Sequence, residues 1–368
     1  MKDVLFIMES LDGGGAEKAL IEYLKNFDYT RYRVSLCLLF YQGLYLKDIP
    51  ENVTVIPLYT QNNSFRRKSF RYYRKYHNSW LMSFQIRRKL QRHYDTIISF
   101  MEGWPLLFHS FVMKRADRNV TWVHRDLLNY PTSDCFYSSS LERKCYEDVD
   151  CIIFVSNTAK ENFDKLYLVN TLKKCLYNVV DAKEIKEKAG EENVAGNVFT
   201  ITSIGSLYKV KGYDRLLRVA KMLKNNGYSL SFQILGCGSE LDNLLTLRNE
   251  LGVEEEVLFL GFEENPYPYL KKSDLFVSTS LSEGLPYVIC EAFVLGIPVV
   301  ATETAGAIEL LDNGKYGILT GQDDISIYEG LRKLIDNEEL RDEYHLKSLI
   351  RAEMFNIDKA MKSVYSLI

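Results

Sequence analysis

The sequence predicts an α/β protein with two doubly wound, Rossmann-like domains, each built on a parallel sheet, that face each other across a central cleft. Short β-rich apolar runs alternate with amphipathic helical stretches, the pattern of parallel strands joined by crossover helices. The run of strands restarts after about residue 195. The chain has 368 residues, more than one hydrophobic core usually serves, so two domains of comparable size are expected.

Ten apolar, β-rich segments are predicted as strands. They are residues 4–8, 33–40, 96–100, 120–124, 151–156, 198–204, 231–236, 257–260, 275–278 and 299–302. Amphipathic helices are predicted at 16–26, 213–225 and 239–251. The organisation changes near Asp181, which places the first domain at 1–180 and the second at 181–350. Ligands of open α/β sheets bind beyond the carboxyl ends of the strands, so functional motifs are expected in the strand-to-helix loops.

The composition is ordinary for a globular protein, with 46% apolar residues, 26% charged residues and a formal net charge of −3. The apolar run at 4–8 is too short for a signal peptide and is followed at once by Glu9. No run approaches the roughly 18 to 20 apolar residues of a membrane-spanning helix. The seven cysteines are scattered without a Cys-x-x-Cys pair, so they are expected to be reduced. We therefore expect a cytoplasmic protein that can still lie against a membrane.

Positive charge is concentrated in the first half of the chain. Residues 1–180 carry a net charge of +7 and the remaining residues carry −10, and no Asp or Glu occurs from Asn52 to Tyr94. The cations of this block that we assign to membrane or acceptor docking are Arg66, Arg67, Lys68, Arg71, Arg74 and Lys75. Aromatic residues are interleaved with them, which is typical of a peripheral helix on an anionic membrane surface. A solvated helix is the alternative, and nucleic acid is not expected as a partner.

Two glycine-containing loops follow predicted strands. The glycines at 13–15 open the first helix, where they allow close backbone approach and where free N–H groups can bind a phosphate. The dinucleotide fingerprint fails because Lys18 stands at the position of its third glycine, which disfavours a dehydrogenase. The second loop, 204–213, contains Lys211, whose ammonium can reach a phosphate. The alternatives are a tight turn without a ligand and solvated lysines.

Residues 273–309 carry the most specific pattern. A predicted strand leads into a polar loop that ends in Glu283, followed by Pro286 and an apolar helix that closes at Gly296. Glu291 lies in that helix about two turns beyond Glu283, roughly 12 Å away at a rise of ~1.5 Å per residue. A glycosidase needs its two carboxylates about 5 to 9.5 Å apart, so these glutamates are expected to grip separate parts of one elongated ligand. The alternative is that Glu283 caps the helix and Glu291 is a surface residue.

With these motifs the sequence resembles the retaining glycosyltransferases of family 4, which have the two-domain GT-B fold. The resemblance covers most of the chain. It rests on the glycine loop at 13–15, Val123-His124, Tyr177-Asn178 before Asp181, Gly205 with Lys211-Gly212, Gly236-Cys237-Gly238, Asp274-Leu-Phe-Val-Ser, Glu283-Gly-Leu-Pro, Glu291-Ala292, Gly296-Ile-Pro-Val-Val-Ala-Thr302 and Glu309. It implies that residues 1–180 bind the acceptor and that 181–350 bind a nucleotide-sugar donor. We expect residues 351–368 to form a helix that packs back toward the first domain.

The resemblance also implies roles for single residues. Glu283 would contact hydroxyls of the donor sugar, Glu291 would hold the ribose, and Lys211 would help to neutralise the diphosphate. His124 would lie near the transferring sugar, which makes it a candidate catalytic residue beside Glu283 and Lys211. The other candidates for binding the diphosphate or the base are Gly14, Gly15, Gly205, Ser206, Gly236, Phe262, Gly284, Leu285, Pro286 and Tyr287.

Two positions depart from the family pattern. Many members carry an arginine after the glycine that corresponds to Gly205, where this chain has Ser206, and many have two glycines where it has Ala305 and Gly306. The lost cation weakens stabilisation of the leaving group, unless Lys209 or Arg125 compensates.

The resemblance implies retaining transfer of a hexose or N-acetylhexosamine from a nucleotide diphosphate sugar, with UDP the expected nucleotide. The acceptor would be a glycan or a polyprenyl-diphosphate-linked sugar in bacterial surface polysaccharide synthesis. Because N–H donors and Lys211 can stabilise the departing diphosphate, no metal or other cofactor is expected. A non-catalytic GT-B partner subunit and a nucleotide-sugar epimerase are the alternatives.

Overall fold

The computed structural model describes residues 1–60, 63–129, 131, 135–190 and 198–368. The chain forms two compact units. Unit 1 contains Met1–Val179 and Ile357–Ile368, and unit 2 contains Val180–Asn356. Each unit has a parallel sheet with helical crossovers, so the prediction of two doubly wound domains is confirmed.

Unit 1 is built on a seven-stranded sheet in the order β3-β2-β1-β4-β5-β6-β7. Its strands are β1 (Lys2–Met8), β2 (Tyr32–Phe40), β3 (Thr54–Tyr59), β4 (Tyr94–Ser99), β5 (Ala116–Val123), β6 (Cys151–Phe154) and β7 (Leu172–Cys175). Its helices include α1 (Gly15–Lys25), α2 (Ser64–Tyr76), α3 (Trp80–Lys89), α4 (Trp104–Ser110), α5 (Ser139–Glu147) and α6 (Asn157–Leu166). The strand order reverses between β1 and β4, and ligands of open α/β sheets bind at such a switch point.

Unit 2 repeats this plan with six strands in the order β10-β9-β8-β11-β12-β13. They are β8 (Thr200–Ile204), β9 (Ser231–Leu235), β10 (Val257–Gly261), β11 (Leu275–Ser278), β12 (Val299–Thr302) and β13 (Ile318–Thr320). Its helices are α7 (Ala182–Lys188), α8 (Tyr213–Asn225), α9 (Leu241–Leu251), α10 (Tyr267–Lys271), α11 (Tyr287–Val294), α12 (Ala305–Leu311), α13 (Asp324–Ile335) and α14 (Glu338–Ala352). The switch point of this sheet lies between β8 and β11.

All ten predicted strands are present, with ends shifted by at most a few residues. Three strands, β3, β7 and β13, were not predicted, and each of these lies at an edge of its sheet. Edge strands are partly exposed, so they do not need the continuous apolar run of a central parallel strand. The clearest example is β7, whose sequence Leu-Lys-Lys-Cys carries two lysines.

The apolar helix predicted after Glu283 is α11, and it is shorter than expected. Pro286 directly precedes the helix and adopts an extended backbone, so it is the N-cap rather than a residue of the first turn. The helix stops where Gly296 adopts a φ of +74°, as its sequence predicted.

The last helix, α15 (Ile357–Tyr365), belongs to unit 1. The Tyr365 ring stacks on Tyr32 with 5.1 Å between centroids and 6° between planes. It also meets Phe27 edge-on at 5.6 Å. The Tyr365 hydroxyl accepts a 2.8 Å hydrogen bond from the backbone N–H of Asp28. The end of the chain is therefore part of the fold of unit 1.

We expect Tyr365→Ala to lower the free energy of unfolding of unit 1 by about 2 kcal/mol, because it removes a ring stack and a hydrogen bond. The three tryptophans, Trp80, Trp104 and Trp122, all lie in unit 1, so denaturation followed by tryptophan fluorescence reports on this unit. Tyr41→Ala is the control, since that side chain is 42% exposed. Equal stabilities of the two variants would contradict the role given to α15.

Candidate functional site

At the switch point of unit 2, two loops that carry predicted site residues lie next to each other. Residues 205–212 follow β8, and residues 279–286 follow β11. The strands are neighbours in the sheet, and the backbone N–H of Leu281 donates to the carbonyl of Val210 at 2.7 Å. The lysine of one loop and the glutamate of the other can therefore meet.

Lys211 and Glu283 form an ion pair, with 2.5 Å between Nζ and Oε1. Their side chains are 23% and 17% exposed, so the pair is half-buried but open to a ligand. The same carboxylate oxygen accepts a 2.8 Å hydrogen bond from the hydroxyl of Ser280. Two of the three residues predicted as catalytic thus lie in direct contact. Ser280 also contacts this pair, although it was not among the predicted site residues.

The backbone of Glu283 is held from the start of α12. The N–H of Gly306 donates to the Glu283 carbonyl at 3.0 Å. A Cβ on Gly306 would lie 2.7 Å from the carbonyl oxygen of Gly284, so only glycine fits there. Ala305 is buried, and its methyl group is accommodated. The second departure from the family pattern therefore leaves the constrained glycine in place.

The candidate base-binding residues lie at the neighbouring strand ends. Gly236 has a φ of +142°, and a Cβ on it would collide with the backbone of Gly205. Gly236 also donates its N–H to the Gly261 carbonyl at 2.6 Å, and the next residue, Phe262, is 43% exposed. Ser206 is half-buried in the same loop as Gly205. These predicted donor-binding residues therefore share one end of the sheet of unit 2.

The remaining donor candidates are buried at and within α11. Gly284, Leu285, Pro286 and Tyr287 are all buried. Glu291 is 1% exposed, and its Oε1 accepts a 3.3 Å hydrogen bond from the hydroxyl of Tyr267. The alternative that Glu291 is a surface residue is therefore wrong, whereas its role in holding a ribose stays a prediction.

In unit 1, His124 is the first residue after β5. Its backbone N–H donates to Glu102 Oε2 at 2.8 Å, and the other oxygen of Glu102 lies 3.2 Å from Arg125 Nε. Burial, with the charge of Arg125, lowers the pKa of His124 to about 3, although a hydrogen bond to the Phe100 backbone opposes this. His124 is therefore neutral at physiological pH. Its Nε2 is buried and has no hydrogen-bond partner within the described residues.

The glycine loop of unit 1 is covered by a carboxylate. The Glu17 side chain folds back over Gly14, so that a Cβ on this glycine would collide with it. Burial raises the pKa of Glu17 from 4.5 to about 7, helped by the charges of Asp12 and Glu9. Burial also raises the pKa of Glu9. A glutamate that titrates near neutral pH therefore lies beside Gly14. Binding of a diphosphate at Gly14 and Gly15 stays a prediction.

The six cations assigned to docking fall into two groups. Arg66 is half-buried, with its guanidinium 3.8 Å from the centroid of the Phe40 ring. Burial raises the pKa of Glu9, and the charge of Arg66 offsets part of that rise. The other five are exposed along α2: Arg67, Lys68, Arg71, Arg74 and Lys75. On α3, Trp80 and Phe84 are 62% and 49% exposed, and their rings stack at 6.0 Å. We call these five cations and two aromatic residues the basic surface, to which Arg66 does not belong.

Among the residues that the structure describes, we find no helix that combines the length and the apolarity needed to cross a membrane.

Similarity to known proteins is strongest in the second half of the chain. The family model for glycosyl transferases group 1 matches residues 184–347. An N-acetylgalactosamine-N,N'-diacetylbacillosaminyl-diphospho-undecaprenol 4-alpha-N-acetylgalactosaminyltransferase of Campylobacter jejuni is 38% identical over 188 residues, 50% of each chain. The capsular polysaccharide biosynthesis glycosyltransferase CapM of Staphylococcus aureus is 26% identical over 193 residues, 52% of this chain and 50% of CapM. The chain thus spans about half the length of these relatives.

Solved structures resemble the whole chain at low sequence identity. Anabaena Alr3699/HepE in complex with UDP and glucose is 21% identical, with a TM-score of 0.77 over 100% of this chain and 99% of HepE. WaaG, a glycosyltransferase involved in lipopolysaccharide biosynthesis, is 16% identical, with a TM-score of 0.69 over 98% of each chain. Residues 184–347 therefore match the glycosyl transferases group 1 family model, and the two units have the GT-B fold.

Proposed function

We propose that this protein is a glycosyltransferase that moves a hexose or N-acetylhexosamine from a UDP-sugar to a glycan or lipid-linked acceptor in the synthesis of a bacterial surface polysaccharide. The observation that carries the proposal is the Lys211–Glu283 pair at the switch point of the unit that matches the family model. The Campylobacter relative, named for a diphospho-undecaprenol-linked substrate, supports the acceptor class. The complex of HepE with UDP and glucose supports the donor class.

The ion pair suits a donor that carries a diphosphate and a sugar. A phosphate oxygen can take the place of the Glu283 carboxylate as the partner of Lys211, so the ammonium stays compensated while the donor is bound. Glu283 is then free to accept hydrogen bonds from sugar hydroxyls. As the glycosidic bond breaks, negative charge grows on the diphosphate, and a preorganised cation stabilises that change.

For unit 1 we propose acceptor binding. Neutral His124 has a lone pair on Nε2, so it can accept a hydrogen bond from a substrate hydroxyl without holding a charge. Glu102 accepts a hydrogen bond from the His124 backbone and forms an ion pair with Arg125, so it holds both residues in place. A histidine with this pKa stays uncharged between pH 5 and 9, so His124 would cause no inflection near pH 6.5 in the rate profile.

We also propose that the reaction retains the anomeric configuration and needs no metal. The attacking hydroxyl would approach from the face that the diphosphate leaves, and a phosphate oxygen would take its proton. No protein base is required on this path. The cationic charge that a metal would supply to the leaving group comes instead from Lys211.

Glu283→Ala should lower the rate of sugar transfer by about 100-fold or more, because it removes the acceptor for sugar hydroxyls and leaves Lys211 without its partner. Product formation from UDP-sugars should be measured with and without a glycan acceptor, because an epimerase would form product without one. Glu255→Ala, an exposed acid of the same unit, is the control. An active Glu283→Ala enzyme would remove the central assignment.

Glu17→Gln should change how the stability of unit 1 depends on pH. The raised pKa means that the folded state binds a proton that the unfolded chain releases between about pH 4.5 and 7. The stability that Glu17 contributes is complete below about pH 4.5 and is lost as the pH rises through 7. The variant should therefore gain stability relative to the unaltered protein from pH 5 to pH 8, measured by denaturation followed by tryptophan fluorescence. A constant difference across this range, as expected for the exposed control Glu51→Gln, would refute the assignment.

We propose that the basic surface docks on an anionic membrane. Each exposed lysine or arginine near such a surface contributes about 1 kcal/mol, so Arg67→Gln with Lys68→Gln should lower partitioning onto anionic vesicles by roughly 30-fold. The matched control is Lys271→Gln with Lys272→Gln, an exposed adjacent pair in unit 2. Co-sedimentation that is equal for neutral and anionic vesicles, or equally reduced in both double variants, would contradict docking through this surface.

A further inference from the structure

Arg215 is a buried cation in the first turn of α8, with 7% of its surface exposed. Its Nη1 donates to the carbonyl of Gln322 at 2.6 Å and to the side-chain Oε1 of Gln322 at 2.5 Å. Its Nη2 donates to the carbonyl of Thr279. One guanidinium therefore ties α8 to the loop that follows β11 and to the segment that follows β13.

These contacts lead directly to the Lys211–Glu283 pair. The Thr279 hydroxyl lies within hydrogen-bond distance of the carbonyls of Lys211 and Gly212, at 3.1 and 3.0 Å. The Gln322 side-chain amide donates to the carbonyl of Ser280 at 3.4 Å. The hydroxyl of Ser280 in turn donates to Glu283. Arg215 thus reaches Lys211 through two hydrogen bonds, and Gln322 reaches Glu283 through two.

Close packing leaves this arrangement little freedom. Gly212 has a φ of +63°, and a Cβ there would collide with both the Arg215 guanidinium and the Thr279 carbonyl. The Ser280 carbonyl also accepts a 2.6 Å hydrogen bond from the Thr302 hydroxyl. The loops are therefore fixed from several sides at once, with Arg215 at their common contact.

Arg218, one turn further along the same helix, makes a useful contrast. Its Nε lies 2.6 Å from Asp324 Oδ2, and its Nη1 lies 3.1 Å from Asp214, so it forms ordinary surface ion pairs. Both arginines connect α8 to the segment around residues 322–324. Arg215, by contrast, donates hydrogen bonds to three neutral oxygens, two of which are backbone carbonyls. An arginine that donates to several carbonyl oxygens at once depends on the planar geometry of its guanidinium, which lysine cannot reproduce.

We propose that Arg215 and Gln322 are positioning residues that hold the loops carrying Lys211 and Glu283 at the spacing required for transfer. The inference rests on the proposed glycosyltransferase function and extends it to two residues that do not touch the substrate. Displacing a reacting group by about 1 Å can lower a rate roughly 100-fold, so a small shift of either loop is enough to slow the reaction.

The experiment compares Arg215→Lys and Gln322→Ala with the control Arg218→Lys in the full-length protein. Arg215→Lys should lower kcat about 10- to 100-fold, and Gln322→Ala, which retains the carbonyl contact, about fivefold. Arg218→Lys should stay within about twofold of the unaltered enzyme. Each kcat is measured well below the melting temperature of its variant, so that a loss of folded protein cannot imitate a loss of positioning.

Hydrogen–deuterium exchange gives a second readout that does not depend on activity. In peptides that cover 205–212 and 279–286, Arg215→Lys should exchange about tenfold faster than the unaltered protein, whereas Arg218→Lys should not. Unchanged exchange in these peptides overturns the proposal, and so does a kcat within twofold for Arg215→Lys. If the unaltered protein transfers no sugar from any nucleotide sugar, the proposed function fails, and the exchange comparison alone decides whether Arg215 positions the loops.

Discussion

The candidate site depends on one constraint, which is that the loops after β8 and β11 must approach closely enough for Lys211 to meet Glu283. Adjacent strands bring the loops together, and the approach is then secured by positions where no side chain fits. Gly212 makes room for the Arg215 guanidinium, and Gly306 makes room for the carbonyl of Gly284. A half-buried ion pair gains little stability in itself, because desolvation offsets much of the attraction. Its arrangement therefore agrees better with the proposed binding of a donor than with a role in folding.

In unit 1, two titratable groups have pKa values that are shifted in opposite directions. His124 and Glu17 are both half-buried, and the partial loss of water favours the neutral form of each, so the pKa of the histidine falls while that of the glutamate rises. The imidazole is consequently uncharged at every physiological pH, whereas Glu17 lies close to its titration midpoint. The same effect thus leaves His124 neutral across the physiological range, while the charge of Glu17 changes with pH near neutrality.

The sequence was most informative where residues are locally constrained. Central strands are continuous apolar runs, and turn glycines such as Gly296 mark helix ends, so the two sheets and the Lys211 and Glu283 loops could be predicted. Edge strands such as β7 could not, because solvent exposure removes the apolar signal. Nor could the partner of a long side chain be predicted. Arg66 belongs to a run of cations, yet only the fold places it over Phe40, and nothing local distinguishes Arg215 from Arg218.

The fold also bears on the cation that is missing at Ser206. Of the two side chains considered as substitutes, Arg125 lies in unit 1 and already has Glu102 as an ionic partner, so its charge is largely compensated. Lys209 lies in the same short 3-10 turn as Lys211, it is exposed, and within the described part of the chain it has no ion pair. A cation stabilises a leaving group most when its charge is not already neutralised and when it is fixed to the same element. Under the proposed function, we therefore prefer Lys209 to Arg125 as a second cation.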